Sequence, residues 1–172
     1  SNGAEIKYQI IGTKDFLTTF STRPDTIFGV SFLALSPNHP MAIEISKENE
    51  KIKKFLELCK ESKTAEADMA KADKLGIDTG IRAMHPNTKE EIPIWIGNFV
   101  LLDYGTGVVM GVPGHDSRDF EFASKYNLDI KQVIQSDQTE DLPILDKGIL
   151  VNSDKFNGKT SEQASKEIIQ EL

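Results

Sequence analysis

The densest run of reactive side chains is His115-Asp116-Ser117-Arg118-Asp119. If a helix begins at Asp116, both carboxylates lie in its first turn, near the positive end of its dipole. Capping accounts for Asp116, but a second acid with an arginine beside it is more than a cap requires. The surplus fits an acidic cradle for a positively charged amine, with Arg118 able to meet a phosphate or ribose. A metal centre would need a third or fourth ligand, and the remaining histidines, His39 and His85, stand at no ligand spacing. A second group comprises the hydroxyls of Ser21, Thr22 and Thr26 around Pro24. Ser and Thr in such a segment satisfy local backbone groups. A nucleophile would need one of them to meet a histidine, as in a serine esterase built on Ser21 and His115, and spacing alone does not supply that meeting.

The glycines at 105, 107 and 111 form G-x-G-x-x-x-G, one residue too long for a dinucleotide fingerprint, and no G-K-S or G-K-T follows. Glycine inside a strand marks a bulge or a close approach, by a ligand or by the chain itself. On this feature alone the two stand level.

The elements that must position these groups follow from periodicity. Ile6, Tyr8 and Ile10 alternate as a strand ended by Gly12, and Phe16 to Phe20 is a second β-prone run. Pro24 turns residues 21–26 into a bend, not a helix. Phe28 to Leu35 reads as a buried strand stopped by Pro37 and Pro40. From Glu48 to about Lys71 the spacing of Ile52, Phe55, Leu56 and Cys59 predicts a helix, with Cys59 a small buried hydrophobe on its stripe. Ile92 to Ile96 and Phe99 to Leu102 read as strands around a Gly97-Asn98 turn. Residues 105–114 read as a strand interrupted by glycines. Asp116 caps a helix through Tyr126, with Phe120, Ala123 and Tyr126 near-neighbours on one face. Lys131 to Ile134 reads as a last core strand, and the capping box Thr160/Gln163 opens a helix to Leu172. The expected fold is mixed α/β (α+β), with a β-rich centre, a small barrel-like sheet surrounded by helices.

The chain has 172 residues, 38% hydrophobic and 27% charged, enough for one core and little more. No apolar run is long enough to span a membrane, and the first residues have neither the basic start nor the apolar block of a signal peptide. With Cys59 the only cysteine, an internal disulfide is excluded. These features predict a soluble cytoplasmic domain. The 20 basic and 27 acidic residues give a net charge of -7, which disfavours broad nucleic-acid binding yet leaves room for contact with one short, defined piece.

Two segments together carry a family resemblance: F-S-T-R-P-D-T-I-F-G-V (Phe20 to Val30) and Y-G-T-G-V-V-M-G-V-P-G-H-D-S-R-D-F-E-F-A (Tyr104 to Ala123). They resemble the threonine-rich and aspartate-containing regions of the editing domain of leucyl-tRNA synthetase, the connective polypeptide 1 insertion. I-P-I-W-I in the middle and V-N-S-D-K-F-N-G (Val151 to Gly158) extend the resemblance over most of the chain, and R-P-D-T with H-D-x-R-D points to the leucyl branch over the isoleucyl and valyl ones. The ATP-handling signatures His-Ile-Gly-His and Lys-Met-Ser-Lys-Ser are absent from these residues.

The resemblance implies that residues 1–172 are a single editing domain from a larger class I synthetase. It would hydrolyse tRNA-Leu mischarged with isoleucine, methionine or norvaline. The implied partners are the tRNA 3′ end and the rest of the synthetase, with the protein a monomer. Editing would need no cofactor, ATP belonging to the synthetic domain. By the same resemblance Asp119 anchors the α-amino group, and Thr22, with Ser21 beside it, helps to place the terminal adenosine and the water. Thr26 excludes leucine, Met110 and Val112 line the pocket, and Tyr104 packs the adenosine. Arg118 supports the tRNA end, while Asp116, His115 and Arg23 neighbour the substrate. Serine at position 21, where the family usually has threonine, keeps the hydroxyl and loses a methyl.

Overall fold

The computed structural model describes residues 3–62, 73–102 and 105–172. Among them six strands form one sheet in the order β2-β1-β4-β5-β3-β6. They are β1 (Ala4–Ile10), β2 (Phe16–Ser21), β3 (Phe32–Leu35), β4 (Gly76–Met84), β5 (Glu91–Gly97) and β6 (Val108–Gly111). All pairings are antiparallel except β3 with β5, which is parallel.

In β1, Ala4, Ile6 and Tyr8 are buried while Glu5 and Lys7 face outward, the alternation expected of a strand with one wet face. β3 and β5 are covered on both faces: Leu33, Leu35, Ile94 and Ile96 join the main core, whereas Phe32, Ala34 and Trp95 join a second, largely aromatic cluster. The sheet curls until the edge strands β2 and β6 approach each other. Tyr8 reaches across the curl, its hydroxyl 3.4 Å from Met110 Sδ. No ladder joins the two edges among the described residues, so the expected barrel-like sheet is a curled open one.

Among the described residues four α-helices flank the sheet: α1 (Pro40–Ser46), α2 (Glu50–Glu61), α3 (Ser117–Tyr126) and α4 (Ser161–Glu171). α4 has the expected reciprocal capping box between Thr160 and Gln163 and packs against the 3-10 helix Pro24–Gly29. α3 packs on the other face of the sheet. Phe122 is fully buried there, its ring centroid 5.1–5.5 Å from those of Phe32, Trp95 and Phe99.

Several expectations change. The bend at 21–26 runs into the 3-10 helix Pro24–Gly29, which shortens the expected Phe28–Leu35 strand to Phe32–Leu35. Pro24 sits at the start of this helix with its φ already suitable, and both the N–H (3.0 Å) and Oγ1 (2.7 Å) of Thr26 donate to the Arg23 carbonyl. Pro40 opens α1, with His39 Nδ1 accepting from the Met41 N–H as its cap. Phe99 to Leu102 is not a strand, because Phe99 and Val100 turn into the aromatic cluster. Lys131 to Ile134 reduces to β7 (Ile134–Gln135), which pairs with β8 (Ile149–Leu150) in a separate two-stranded sheet. On α3 the buried residues are Asp119, Phe122 and Ala123; Phe120 is only partly covered. Cys59 is partly exposed, not buried, and the later part of the expected helix to Lys71 lies outside the described residues.

Two glycines of the run serve packing, while a side chain on Gly105 would meet nothing within 4 Å. A side chain on Gly111 would collide with the Phe32 ring, and one on Gly107, where φ is +77°, with Leu102.

Candidate functional site

The two sequence segments meet at the junction of the 3-10 helix with β3 and β6. Ser31 N–H donates to Gly111 O at 3.0 Å, Phe32 pairs with Gly111, and a Cβ on Gly29 would stand 3.3 Å from Val112 Cγ1. One side is a threonine wall formed by residues 21–26. The other is an aspartate wall formed by residues 110–119.

On the aspartate wall, Asp116 caps α3, its Oδ1 accepting from the Asp119 N–H at 2.9 Å. This places Asp119 in the first turn with its side chain turned back over the end of β6. Its Oδ2 accepts from the Val112 N–H at 2.8 Å. Its Oδ1 is buried and has no hydrogen-bond partner among the described residues. A carboxylate taken out of water with one oxygen unsatisfied is costly, and the group responds by holding its proton. Burial, reinforced by the Asp116 charge, pushes its pKa up to about 7, against the Val112 hydrogen bond and Arg118, which pull it down. Met110 and Val112 line the same stretch, both nearly buried. Arg118 is exposed, 4.0 Å from Asp116 Oδ1, with its guanidinium over the Phe99 ring.

His115 has a structural task. Its Nδ1–H donates to Ile144 O (2.9 Å), while Nε2 accepts from the Val133 (2.9 Å) and Ile134 (3.2 Å) N–H groups. That network assigns the neutral tautomer, and burial lowers the ring's pKa in the same sense. With both nitrogens engaged, His115 has no lone pair to offer a hydroxyl. Ser21 Oγ in turn accepts from the Arg23 N–H at 2.9 Å. The serine-esterase alternative therefore lacks its base.

On the threonine wall, Thr22 is exposed and Thr26 is buried. Arg23 forms a bidentate pair with Asp25, Nε to Oδ1 at 3.0 Å and Nη2 to Oδ2 at 2.9 Å, and its Nη1 donates to Leu145 O at 3.2 Å. Tyr104 lies outside the described residues. Two contributors were not singled out from sequence. Asp25 could have been found from an arginine and an acid two apart across a proline, but His85 carried no local signal. His85 is buried, its Nε2–H donating to Ile27 O at 2.7 Å and its Nδ1 accepting from the Asn87 and Thr88 N–H groups, so it pins the carbonyl next to Thr26.

The family model for the leucyl-tRNA synthetase editing domain matches residues 1–172. Curated relatives include the leucine–tRNA ligases of Marinobacter nauticus, 48% identical over 98% of the chain, and Hahella chejuensis, 48% identical over 100% of it. The chain spans about one fifth of the length of each. Among solved structures, a leucyl-tRNA synthetase from Agrobacterium radiobacter, in a ternary complex with tRNA and LeuAMS, matches with a TM-score of 0.66 and 31% identity, over 76% of this chain and 16% of that one. The chain belongs to the leucyl-tRNA synthetase editing-domain family. Among the described residues no helix is long and apolar enough to cross a membrane.

Proposed function

We propose that this chain is a single editing domain that hydrolyses the aminoacyl ester of tRNA-Leu mischarged with isoleucine, methionine or norvaline and spares Leu-tRNA-Leu. The observation that carries the reading is the buried, half-satisfied carboxylate of Asp119 beside Met110 and Val112. An α-ammonium group would give the free oxygen a charged donor and draw the carboxyl into its ionised form. The need for such a site follows from arithmetic: a pocket sorting amino acids by one methylene gains about 1–3 kcal/mol, and a second hydrolytic sieve multiplies that discrimination.

In the proposed reaction a water attacks the ester carbonyl. The tetrahedral intermediate collapses with loss of the ribose oxygen, which takes up a proton, and the products are the free amino acid and tRNA. No side chain becomes covalently attached. Ser21 and Thr22 help to place the terminal adenosine and the water, so that rate comes from position and hydrogen bonding. Thr26 blocks leucine, a steric element set against the cognate substrate. Arg118 supports the tRNA end and Tyr104 packs the adenosine. The reaction draws on water and the chain's own groups, without metal or ATP. The rest of a synthetase delivers the tRNA end, in the cytoplasm, to a monomeric domain.

In a second reading the chain binds the tRNA 3′ end but turns over little by itself, because an acidic surface with a net charge of -7 leaves most tRNA contacts to the rest of a synthetase. Deacylation of Ile-tRNA-Leu and Leu-tRNA-Leu, with Asp119→Ala as control, separates the two. Selective loss of the isoleucyl ester that vanishes in the variant supports editing. Persistence of both esters supports the binding fragment.

A further inference from the structure

The segment 142–146 touches both walls with adjacent residues. The Ile144 N–H donates to Gly114 O at 2.8 Å, and its carbonyl accepts from His115 Nδ1 at 2.9 Å, both on the aspartate wall. The next carbonyl, that of Leu145, accepts from Arg23 Nη1 at 3.2 Å on the threonine wall. Ile144 is buried, whereas the Leu145 side chain is exposed at the rim.

What aims Arg23 is Asp25. Its side chain is 1% exposed against 26% for Arg23, and each of its oxygens takes one guanidinium donor. A bidentate carboxylate fixes the plane of a guanidinium, so the direction of the remaining nitrogen follows. The local turn does not need this pair, since the Thr26 N–H and hydroxyl already close it on the Arg23 carbonyl.

We propose that Asp25 is a positioning residue that, through Arg23, straps the Ile144–Leu145 peptide across the two walls and fixes the width of the space between them. Its link to a reaction rests on the editing reading of the site. Asp25 then touches no substrate atom. Width bears on bound substrate and transition state alike, so its loss falls on KM more than on kcat.

The test uses the 172-residue chain with Asp25→Asn, Arg23→Gln and the double variant, followed by amide exchange of the 142–146 peptide and by Ile-tRNA-Leu deacylation kinetics. In each variant, exchange at 142–146 should accelerate by about tenfold or more while α4 stays protected. KM should rise about tenfold with kcat within about twofold, and the double variant should match the singles, because the two residues act as one unit. Unchanged exchange at 142–146 overturns the strap. So does a double variant worse than either single, or a fall in kcat at constant KM. Should Asp25→Asn not fold, Arg23→Gln at the rim decides through the same exchange measurement. If the unmodified chain hydrolyses nothing, the editing reading fails and takes the positioning role with it, while exchange at 142–146 still decides whether the strap exists.

Discussion

The threonine wall and the aspartate wall are built by opposite means. Apart from the exposed Thr22 and the Arg23 bond to Leu145 O, the threonine wall closes its polar groups on itself: Thr26 on the Arg23 carbonyl, Ser21 on the Arg23 N–H, Asp25 on the Arg23 guanidinium. What it offers is shape. The aspartate wall keeps one carboxylate oxygen unanswered in the interior, and that oxygen belongs to a group poised to titrate near neutrality. What it offers is charge. Under the proposed editing reading, which needs a site that admits an amine yet refuses one particular side chain, both are required, and the division keeps the steric element independent of pH. The supports differ as well, since α4 backs the threonine wall and the aromatic cluster seats the aspartate wall through α3.

Breaking that seat should have the largest effect. Phe122→Ala removes the ring shared by Phe32, Trp95 and Phe99 and should lower stability by about 3–5 kcal/mol in urea unfolding. A loss below about 1 kcal/mol would mean that α3 is held by something else.

Next comes the titration of Asp119. Its pKa is raised in the folded protein, so the native state binds more protons than the unfolded one between about pH 4 and pH 7, and stability falls as pH rises through that window. Relative to Asp119→Asn, the unmodified chain should lose on the order of 3–4 kcal/mol from pH 4 to pH 8. Parallel unfolding curves for the two proteins at both pH values would refute this.

The steric half is sharpened by two substitutions. Thr26→Ala should let Leu-tRNA-Leu be hydrolysed about 10- to 200-fold faster, whereas Thr26→Val, which keeps the volume and loses the hydroxyl, should retain exclusion. Equal leakage in both would assign exclusion to the hydrogen bond with Arg23 O instead.

The smallest effect is expected at the cap. Asp116→Ala should cost about 1 kcal/mol of stability. It should also lower the Asp119 pKa by removing a neighbouring charge, visible as a downward shift of the pH window above.

What could be read in advance was local. The alternation of β1, the Asp116 cap and the Thr160/Gln163 box depend on neighbours a few residues away, and each stands where the sequence places it. β4 was not legible, because Gly80, at φ +80°, and the register shift between Asp78 and Arg82 break its alternation. Asp119 stood out as an acid beyond what capping requires. His115 stood out too, but its role did not, since its partners Val133, Ile134 and Ile144 lie far along the chain. The same holds for Arg23, whose third bond reaches Leu145.

The parallel pairing of β3 with β5 carries a consequence in time. Leu33 finds its partner only when Ile94 exists, and Phe32 only when Gly111 does. The strand leading out of the threonine wall must therefore close a long loop before it gains any ladder bonds, and such non-local closure slows folding. On a ribosome, shape and charge would come together only after the aspartate wall has emerged, so a nascent chain would pass through a stage at which half of the proposed site is present without the other half.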